Sequence, residues 1–354
     1  MSAPIDHPLE GQLIDRYLLH RQIGQGGMAS VFLAERLSLE VEAQEVSHRV
    51  IEQLSASQSS ARAPTRSPTV SAWVAVKIMH PHLARDERAV KRFIAEIALS
   101  SKLHHPNICP VLDVGELEGA PYIVLPYLKG RTLAQLTELD APPPPEVIAS
   151  LWLDLARGLS YAHNLSDAEG APLAMIHRDI SPQNSFVEYR GAAQLLDFGI
   201  ARLGSPERRA ETSPMVGKVS YMAPEQLEEE AIDQRVDVWA LAVTIWELCA
   251  HRPLFTAQQP MRAMYQVLHD ELLPPSTHTP PLPTLFDELI AQGLEREVER
   301  RPWDAVTWVA PLEGWLKAHL NIAPDEHNAD ERFERERKAL VAEWMERHCE
   351  LHSD

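Results

Sequence analysis

Residues 177–184 read His-Arg-Asp-Ile-Ser-Pro-Gln-Asn and residues 196–199 read Leu-Asp-Phe-Gly, and these two stretches decide the fold. Asn184 lies five positions after Asp179, and Asp197 follows Asn184 by thirteen positions. A carboxylate can orient an attacking hydroxyl group. An amide oxygen and a second carboxylate are hard donors of the kind that Mg²⁺ prefers. The pattern therefore predicts a magnesium site beside a group that orients a hydroxyl.

These stretches resemble the catalytic and metal-binding loops of protein kinases, and the resemblance extends over about residues 17–316. It implies a bilobal α+β fold, with a β-rich N-lobe at about 17–126, a mainly helical C-lobe at about 127–316 and ATP in the cleft between them. The apolar patterns of the N-lobe predict five antiparallel strands and one helix. The resemblance also implies that Asp179 orients the acceptor hydroxyl while Asn184 and Asp197 hold Mg²⁺.

A glycine-rich turn, Gly24-Gln25-Gly26-Gly27, lies between two predicted strands at 17–24 and 30–36. Glycines let backbone amides approach phosphate oxygens because no Cβ stands in the way. A dinucleotide-binding fold would need a helix after the turn, whereas a strand follows here. The turn resembles the glycine-rich loop of kinases, with Ala29 at the place of the family's third glycine.

Lys77 lies in an apolar stretch, residues 73–79, that predicts a strand. A buried ammonium group needs an anion, because a lone buried charge is costly. The resemblance implies that Lys77 holds the α- and β-phosphates and pairs with Glu96 of the next predicted helix, 87–102. The full set of nucleotide contacts that it implies is Ile23, Gly24, Gln25, Gly26, Gly27, Val31, Ala75, Lys77, Leu125, Pro126, Leu128 and Asp197.

Two residues depart from the family pattern near the catalytic Asp. The family usually has Lys where Ser181 stands, and Thr where Lys218 stands. In the kinase fold these positions lie near each other. We therefore hypothesise that Lys218 supplies the cation that Ser181 does not provide. A disabled catalytic loop is the competing interpretation.

Three fold-maintaining residues follow from the same resemblance. Glu225 is expected to form a buried ion pair with Arg301, and Asp237 is expected to cap the backbone of the catalytic loop. The activation segment would run over 197–225, with candidate phosphoacceptors at Ser205, Thr212, Ser213 and Ser220.

Several segments lie outside the core of the resemblance. Residues 1–16 form an N-terminal arm, and residues 37–72 interrupt the N-lobe between its second and third predicted strands. The second half of this insertion is rich in Ser, Pro and Ala, which predicts a surface loop, with a partner-binding or phosphorylated arm as the alternative. Residues 317–354 form a charged tail whose apolar stripe at 333–345 predicts an amphipathic helix docked on the C-lobe, with a dimer-forming helix as the alternative.

The composition excludes several classes. The 354 residues carry a net charge of −18, which disfavours nucleic acid as a partner. No apolar run reaches the roughly 18–20 residues that span a bilayer. No N-terminal signal pattern is evident. The three cysteines, scattered and odd in number, predict a reducing cytoplasm.

The resemblance is greatest to bacterial serine/threonine kinases of eukaryotic type. It implies transfer of the γ-phosphoryl group of Mg-ATP to Ser or Thr of protein substrates, with autophosphorylation, in bacterial signalling. Regulatory partners would act through 37–72 or the tail. A nucleotide-binding pseudokinase scaffold is the alternative. A small-molecule kinase is disfavoured by Ala-Pro-Glu at 223–225, a peptide-docking feature, and a tyrosine acceptor by the absence of an Ala-Ala-Arg-Asn catalytic loop.

Overall fold

The computed structural model describes residues 8–37, 72–198, 216–257, 259–278, 281–323, 326 and 328–349. Its contacts divide the chain into two units, Met1–Ile97 with Pro110–Tyr127, and Ala98–Cys109 with Leu128–Asp354. Most of the insertion at 37–72 lies outside the described residues, as do Ser205, Thr212 and Ser213 of the activation segment.

The first unit is built on a six-stranded antiparallel sheet in the order β1-β2-β3-β4-β6-β5. Its elements are β1 (Leu13–Ile14), β2 (Tyr17–Gln25), β3 (Ala29–Arg36), β4 (Ala72–Met79), helix α1 (Glu87–Ser100), β5 (Asp113–Leu117) and β6 (Ala120–Pro126). The last residues of α1 belong to the second unit. The sequence predicted five strands and the sheet has six, because the two-residue β1 is too short to show an alternating pattern.

The two faces of this sheet are distinct because side chains alternate along a strand. On β4, Val74, Val76 and Ile78 join one apolar cluster with Phe32 of β3. Met79 instead joins a second cluster with Ala89 and Phe93 of α1. Lys77 shares the parity of Met79, so it lies on the face that α1 covers.

The second unit is mainly helical and surrounds one large apolar core. Its elements are β7 (Gly130–Thr132), α2 (Leu133–Leu136), α3 (Pro145–His163), β8 (Ser185–Glu188), β9 (Ala193–Leu195), α4 (Val216–Val219), α5 (Pro224–Leu227), α6 (Arg235–Ala250), α7 (Pro260–His269), α8 (Thr284–Gly293), α9 (Val306–His319) and α10 (Ala329–His348). Short 3₁₀ turns lie at Pro182–Asn184, Pro275–Thr277 and Val298–Arg300. Helix α6 is buried on every side, as its continuous apolar sequence predicts.

Helix α10 packs on the second unit through the apolar stripe that the sequence predicts. Phe333, Val341, Trp344 and Met345 are buried and join the same core as α3. The docked amphipathic helix is therefore confirmed, and the stripe is already covered within the chain. Across the part of the chain that the structure describes, no helix combines the length and apolar character needed to cross a membrane.

Candidate active site

The catalytic loop of the second unit is anchored by the buried carboxylate of Asp237, at the start of α6. Its Oδ2 atom accepts the backbone N–H of His177 at 2.6 Å, and its Oδ1 atom accepts that of Arg178 at 2.7 Å. The imidazole of His163, from α3, contacts Oδ2 at 3.0 Å. The predicted cap on the loop backbone is confirmed, and it fixes the residues immediately before Asp179.

His177 links the catalytic loop to the Leu-Asp-Phe-Gly turn. Its Nε2 atom lies 3.0 Å from the backbone oxygen of Leu196, and its Nδ1 atom accepts the backbone N–H of Asp179 at 3.3 Å. The ring also packs on Phe198, with 4.4 Å between centroids. Burial lowers the pKa of His177. A neutral imidazole that donates at Nε2 and accepts at Nδ1 satisfies both bonds.

Asp179 and Asn184 are held together by direct hydrogen bonds. The amide nitrogen of Asn184 donates to the backbone oxygen of Asp179 at 2.8 Å and to its Oδ2 atom at 2.9 Å. Because the nitrogen is used in this way, the amide oxygen is the atom with which Asn184 can bind a cation. The carboxylate of Asp179 is oriented at the same time.

The two predicted metal ligands lie at one end of the β8–β9 hairpin. Asn184 directly precedes β8, Asp197 follows β9 by two residues, and the N–H of Leu196 donates to the backbone oxygen of Asn184 at 2.8 Å. Among the described residues, no group of three His, Cys, Asp or Glu could hold a metal. Two oxygen donors suit Mg²⁺, which commonly takes its remaining ligands from phosphates and water.

Lys218, in α4, lies beside Asp179. Its ammonium nitrogen is 3.2 Å from Oδ2 and 3.4 Å from Oδ1 of that carboxylate, and its side chain is 56% exposed. Ser181 is buried and carries no charge. The structure therefore brings a cation to the catalytic loop from position 218.

The segment that carries Lys218 is tied to the core by a buried ion pair. Arg301 donates to Glu225 at 2.6 and 3.1 Å, and the guanidinium lies over the ring of Trp239 at 5.2 Å from its centroid. The predicted pair is confirmed. Removing one partner would leave the other as a buried charge without a counter-ion.

A cavity of about 580 Å³ adjoins this loop and is lined by Asp179, Lys218, Tyr221 and Glu247, among others. Glu247 is buried on α6, and it accepts from Tyr221 Oη at 2.7 Å and from the N–H of Leu254 at 3.0 Å. Burial raises the pKa of Glu247 to about 7. None of the sequence motifs points to this residue, although a single glutamate within an apolar helix was the available signal.

The nucleotide-binding residues predicted in the first unit include several on neighbouring strands. The glycine-rich turn joins β2 to β3, Val31 pairs with Lys77, and Ala75 pairs with Leu125. Glu96 belongs to α1, but its side chain lies outside the described residues. The pairing of Lys77 with Glu96 therefore stays a prediction.

Comparison with known proteins identifies the family. The model of the protein kinase domain matches residues 59–304. The chain belongs to the protein kinase family. Among solved structures, it is similar to the kinase domain of Mycobacterium tuberculosis PknI, with a TM-score of 0.57, 24% identity, and coverage of 86% of this chain and 98% of that one. The protein kinase fold is confirmed.

Curated relatives of this family member include bacterial kinases of two descriptions. The chain is 32% identical over 309 residues to a protein named tyrosine-protein kinase MasK, from Myxococcus xanthus, covering 86% of this chain. It is 30% identical over 319 residues to serine/threonine-protein kinase PknB from M. tuberculosis (strain H37Rv), covering 88% of this chain. In both matches the chain spans 44% of the relative's length.

Proposed function

We propose that this kinase family member transfers the γ-phosphoryl group of Mg-ATP to Ser or Thr hydroxyls of protein substrates, including its own. The observation that carries the proposal is the arrangement at Asp179. Its carboxylate is oriented by the amide of Asn184 and lies 3.2 Å from the ammonium of Lys218. A carboxylate held in this way can orient a hydroxyl for attack on a phosphoryl group.

In the proposed reaction, the acceptor oxygen forms a bond to the γ-phosphorus while the bond to the β-phosphate oxygen breaks. Asp179 orients the acceptor and receives its proton. Asn184 and Asp197 would hold Mg²⁺, which when bound neutralises charge on the triphosphate. Lys77, paired with Glu96, would bind the α- and β-phosphates.

We propose that Lys218 replaces the lysine that other family members carry where Ser181 stands. A cation beside the transferred group stabilises charge in the transition state. The position of Lys218 supports this role, because its ammonium group is next to the group that orients the acceptor. It also weakens the pseudokinase alternative, which was supported by Ser181 and Lys218 together with the insertion at 37–72 and the acidic tail.

The acceptor residue is proposed as Ser or Thr on two grounds. The catalytic loop lacks the Ala-Ala-Arg-Asn sequence typical of tyrosine kinases, and the PknB relatives are named serine/threonine kinases. MasK, which is named a tyrosine kinase, makes Tyr the alternative acceptor. Cytoplasmic location is proposed from the cysteine content, since three scattered cysteines, an odd number, do not form the framework of a disulfide-rich secreted protein. A regulatory partner at 37–72 or at the tail stays a prediction.

The test is incubation of the purified chain with γ-labelled ATP and Mg²⁺, followed by acid hydrolysis and separation of phosphoamino acids. We expect label in phosphoserine and phosphothreonine, and none in an Asp179→Asn variant that still binds nucleotide. Label in phosphotyrosine alone would refute the proposed acceptor. Equal labelling of the Asp179→Asn variant would refute the role of Asp179.

A further inference from the structure

The two ends of the β8–β9 hairpin differ: one carries the predicted metal ligands, and the other is the turn between the strands. Asn184 and Asp197 lie at its open end, while its turn spans residues 189–192. Strand pairing links the two ends rigidly, with Ser185 opposite Leu195 and Val187 opposite Ala193. Contacts that hold the turn and β9 in place therefore also hold the two predicted metal ligands in position.

The turn lies directly against the backbone of α10. Gly191 has a φ of +89°, and a Cβ at this position would overlap the backbone oxygen of Lys338. Such close approach of two backbones needs glycine for its lack of a side chain as well as for its conformation. Helix α10 thus covers the end of the hairpin farthest from the ligands.

A series of buried polar contacts makes the second connection between α10 and the hairpin. Arg337 of α10 is 1% exposed and donates from Nη2 to Asp154 Oδ1 at 2.8 Å. Asp154 of α3 is fully buried, and its Oδ2 atom accepts the N–H of Ala193, the first residue of β9, at 2.9 Å. Arg337 also donates to Ser150 Oγ at 3.2 Å and contacts Glu334.

The position of the buried Asp154 carboxylate depends on the positive charge of Arg337. A buried carboxylate is tolerated when it is paired and hydrogen-bonded, and it becomes costly when its cation is removed. Without the guanidinium, Asp154 would be a buried carboxylate with no cation beside it, which favours movement of its side chain toward water. Such a movement weakens its bond to Ala193, which lies four positions before Asp197.

We propose that α10 is a clamp that positions the metal site: Arg337, through Asp154 and the N–H of Ala193, holds the hairpin where Asn184 and Asp197 bind the magnesium of Mg-ATP. This inference rests on the proposed function. Arg337 is then a positioning residue, since it acts on the predicted ligands through Asp154 and Ala193. Through Arg337, helix α10 of the charged tail then raises the affinity of the site for the metal.

The main test uses Mn²⁺ as the probe, titrated by electron paramagnetic resonance into the full chain with the non-hydrolysable analogue AMP-PNP. Arg337→Met should weaken Mn²⁺ binding by up to roughly 10-fold, the lower end of the range for direct partners of metal ligands, because Arg337 acts on the ligands through Asp154 and β9. Hydrogen exchange of the Ala193 amide should accelerate in the same variant. Arg347→Met, at an arginine of α10 that is 69% exposed, should change neither readout.

A compensating variant separates positioning from general loss of stability. In Arg337→Met with Asp154→Asn, the buried carboxylate at position 154 is removed together with its cation, and the Asn oxygen can still accept the N–H of Ala193. Mn²⁺ affinity should return toward the wild-type value. If Arg337→Met lowers the melting temperature but leaves Mn²⁺ affinity and Ala193 exchange unchanged, the helix only stabilises the fold and the clamp is refuted.

Two glycine variants provide a second test that does not alter charge. Gly191→Ala forces the turn away from Lys338, whereas Gly170→Ala imposes similar backbone strain, at a φ of +85°, where no atom lies within 4 Å of the added Cβ. Only Gly191→Ala should weaken Mn²⁺ binding. Equal effects of the two variants would contradict the clamp. If wild-type protein transfers no label while these Mn²⁺ shifts occur, the proposed function fails and the clamp stands.

Discussion

Replacing Lys218 with alanine should slow phosphoryl transfer while leaving the fold intact. The ammonium group is 3.2 Å from Asp179 Oδ2, and the lysine side chain is 56% exposed. Such an exposed pair contributes only about 0–1 kcal/mol to stability, since solvent screens it. We therefore expect little change in melting temperature.

The expected loss of rate follows from the position of the charge. An acceptor hydroxyl bound to Asp179 would lie about 3 Å from that carboxylate, which places the transferred group roughly 6 Å from the Lys218 ammonium. One charge at about 6 Å contributes roughly 1.4–2.8 kcal/mol at an effective dielectric constant of about 20–40. If this interaction is made mainly in the transition state, Lys218→Ala should reduce kcat by about 10- to 100-fold.

The assay is the initial rate of phosphorylation of a peptide substrate at saturating Mg-ATP, with melting temperature recorded for each variant. Lys102→Ala removes another exposed lysine, one outside the predicted site, and should have the wild-type rate. The double variant Ser181→Lys with Lys218→Thr restores the usual family arrangement and should regain most of the lost rate. If Lys218→Ala keeps wild-type turnover while Lys77→Ala abolishes it, Lys218 does not supply the missing cation.

Three further predictions concern stability. Because burial raises the pKa of Glu247 from 4.5 to about 7, the folded state holds a proton that the unfolded state releases, and stability should fall as pH rises from about 4.5 to 7. Denaturant melts should show this slope in the wild type and its loss in Glu247→Gln. Arg301→Met should lower the free energy of unfolding in urea by about 3–5 kcal/mol, because it leaves the buried carboxylate of Glu225 without a cation. Adding Glu225→Met should recover much of that loss, and failure to recover would contradict the buried-charge argument. Phe333→Ala should cost about 3–5 kcal/mol, because this α10 ring is 1% exposed, and a loss below about 1 kcal/mol would contradict tight docking of the tail.

The sequence predicted those parts of the structure that depend on local pattern or on motif order. Apolar alternation predicted strands β2, β3 and β4 to within a residue or two, and the continuous apolar run predicted the buried helix α6. The cap by Asp237 and the ion pair of Glu225 with Arg301 followed from the family resemblance, because their motifs occur in kinase order.

Other features depend on packing between distant segments and could not be predicted. Arg337 and Asp154 are 183 positions apart, and only the docking of α10 on α3 brings them together. The raised pKa of Glu247 results from burial, which a single glutamate in an apolar helix suggests but does not establish. The stripe in the tail predicted that α10 would dock, but not that its arginine would neutralise a carboxylate bonded to β9.

The proposed role of Asp179 is to direct transfer of a phosphoryl group from Mg-ATP to a protein hydroxyl. Intact-mass spectrometry of the purified chain after incubation with Mg-ATP tests this role, alongside Asp179→Asn and a sample with excess chelator. We expect addition of one or more phosphoryl groups to the wild type with magnesium, and none in the other two samples. An unchanged wild-type mass, together with no phosphorylation of an added protein substrate, would contradict it.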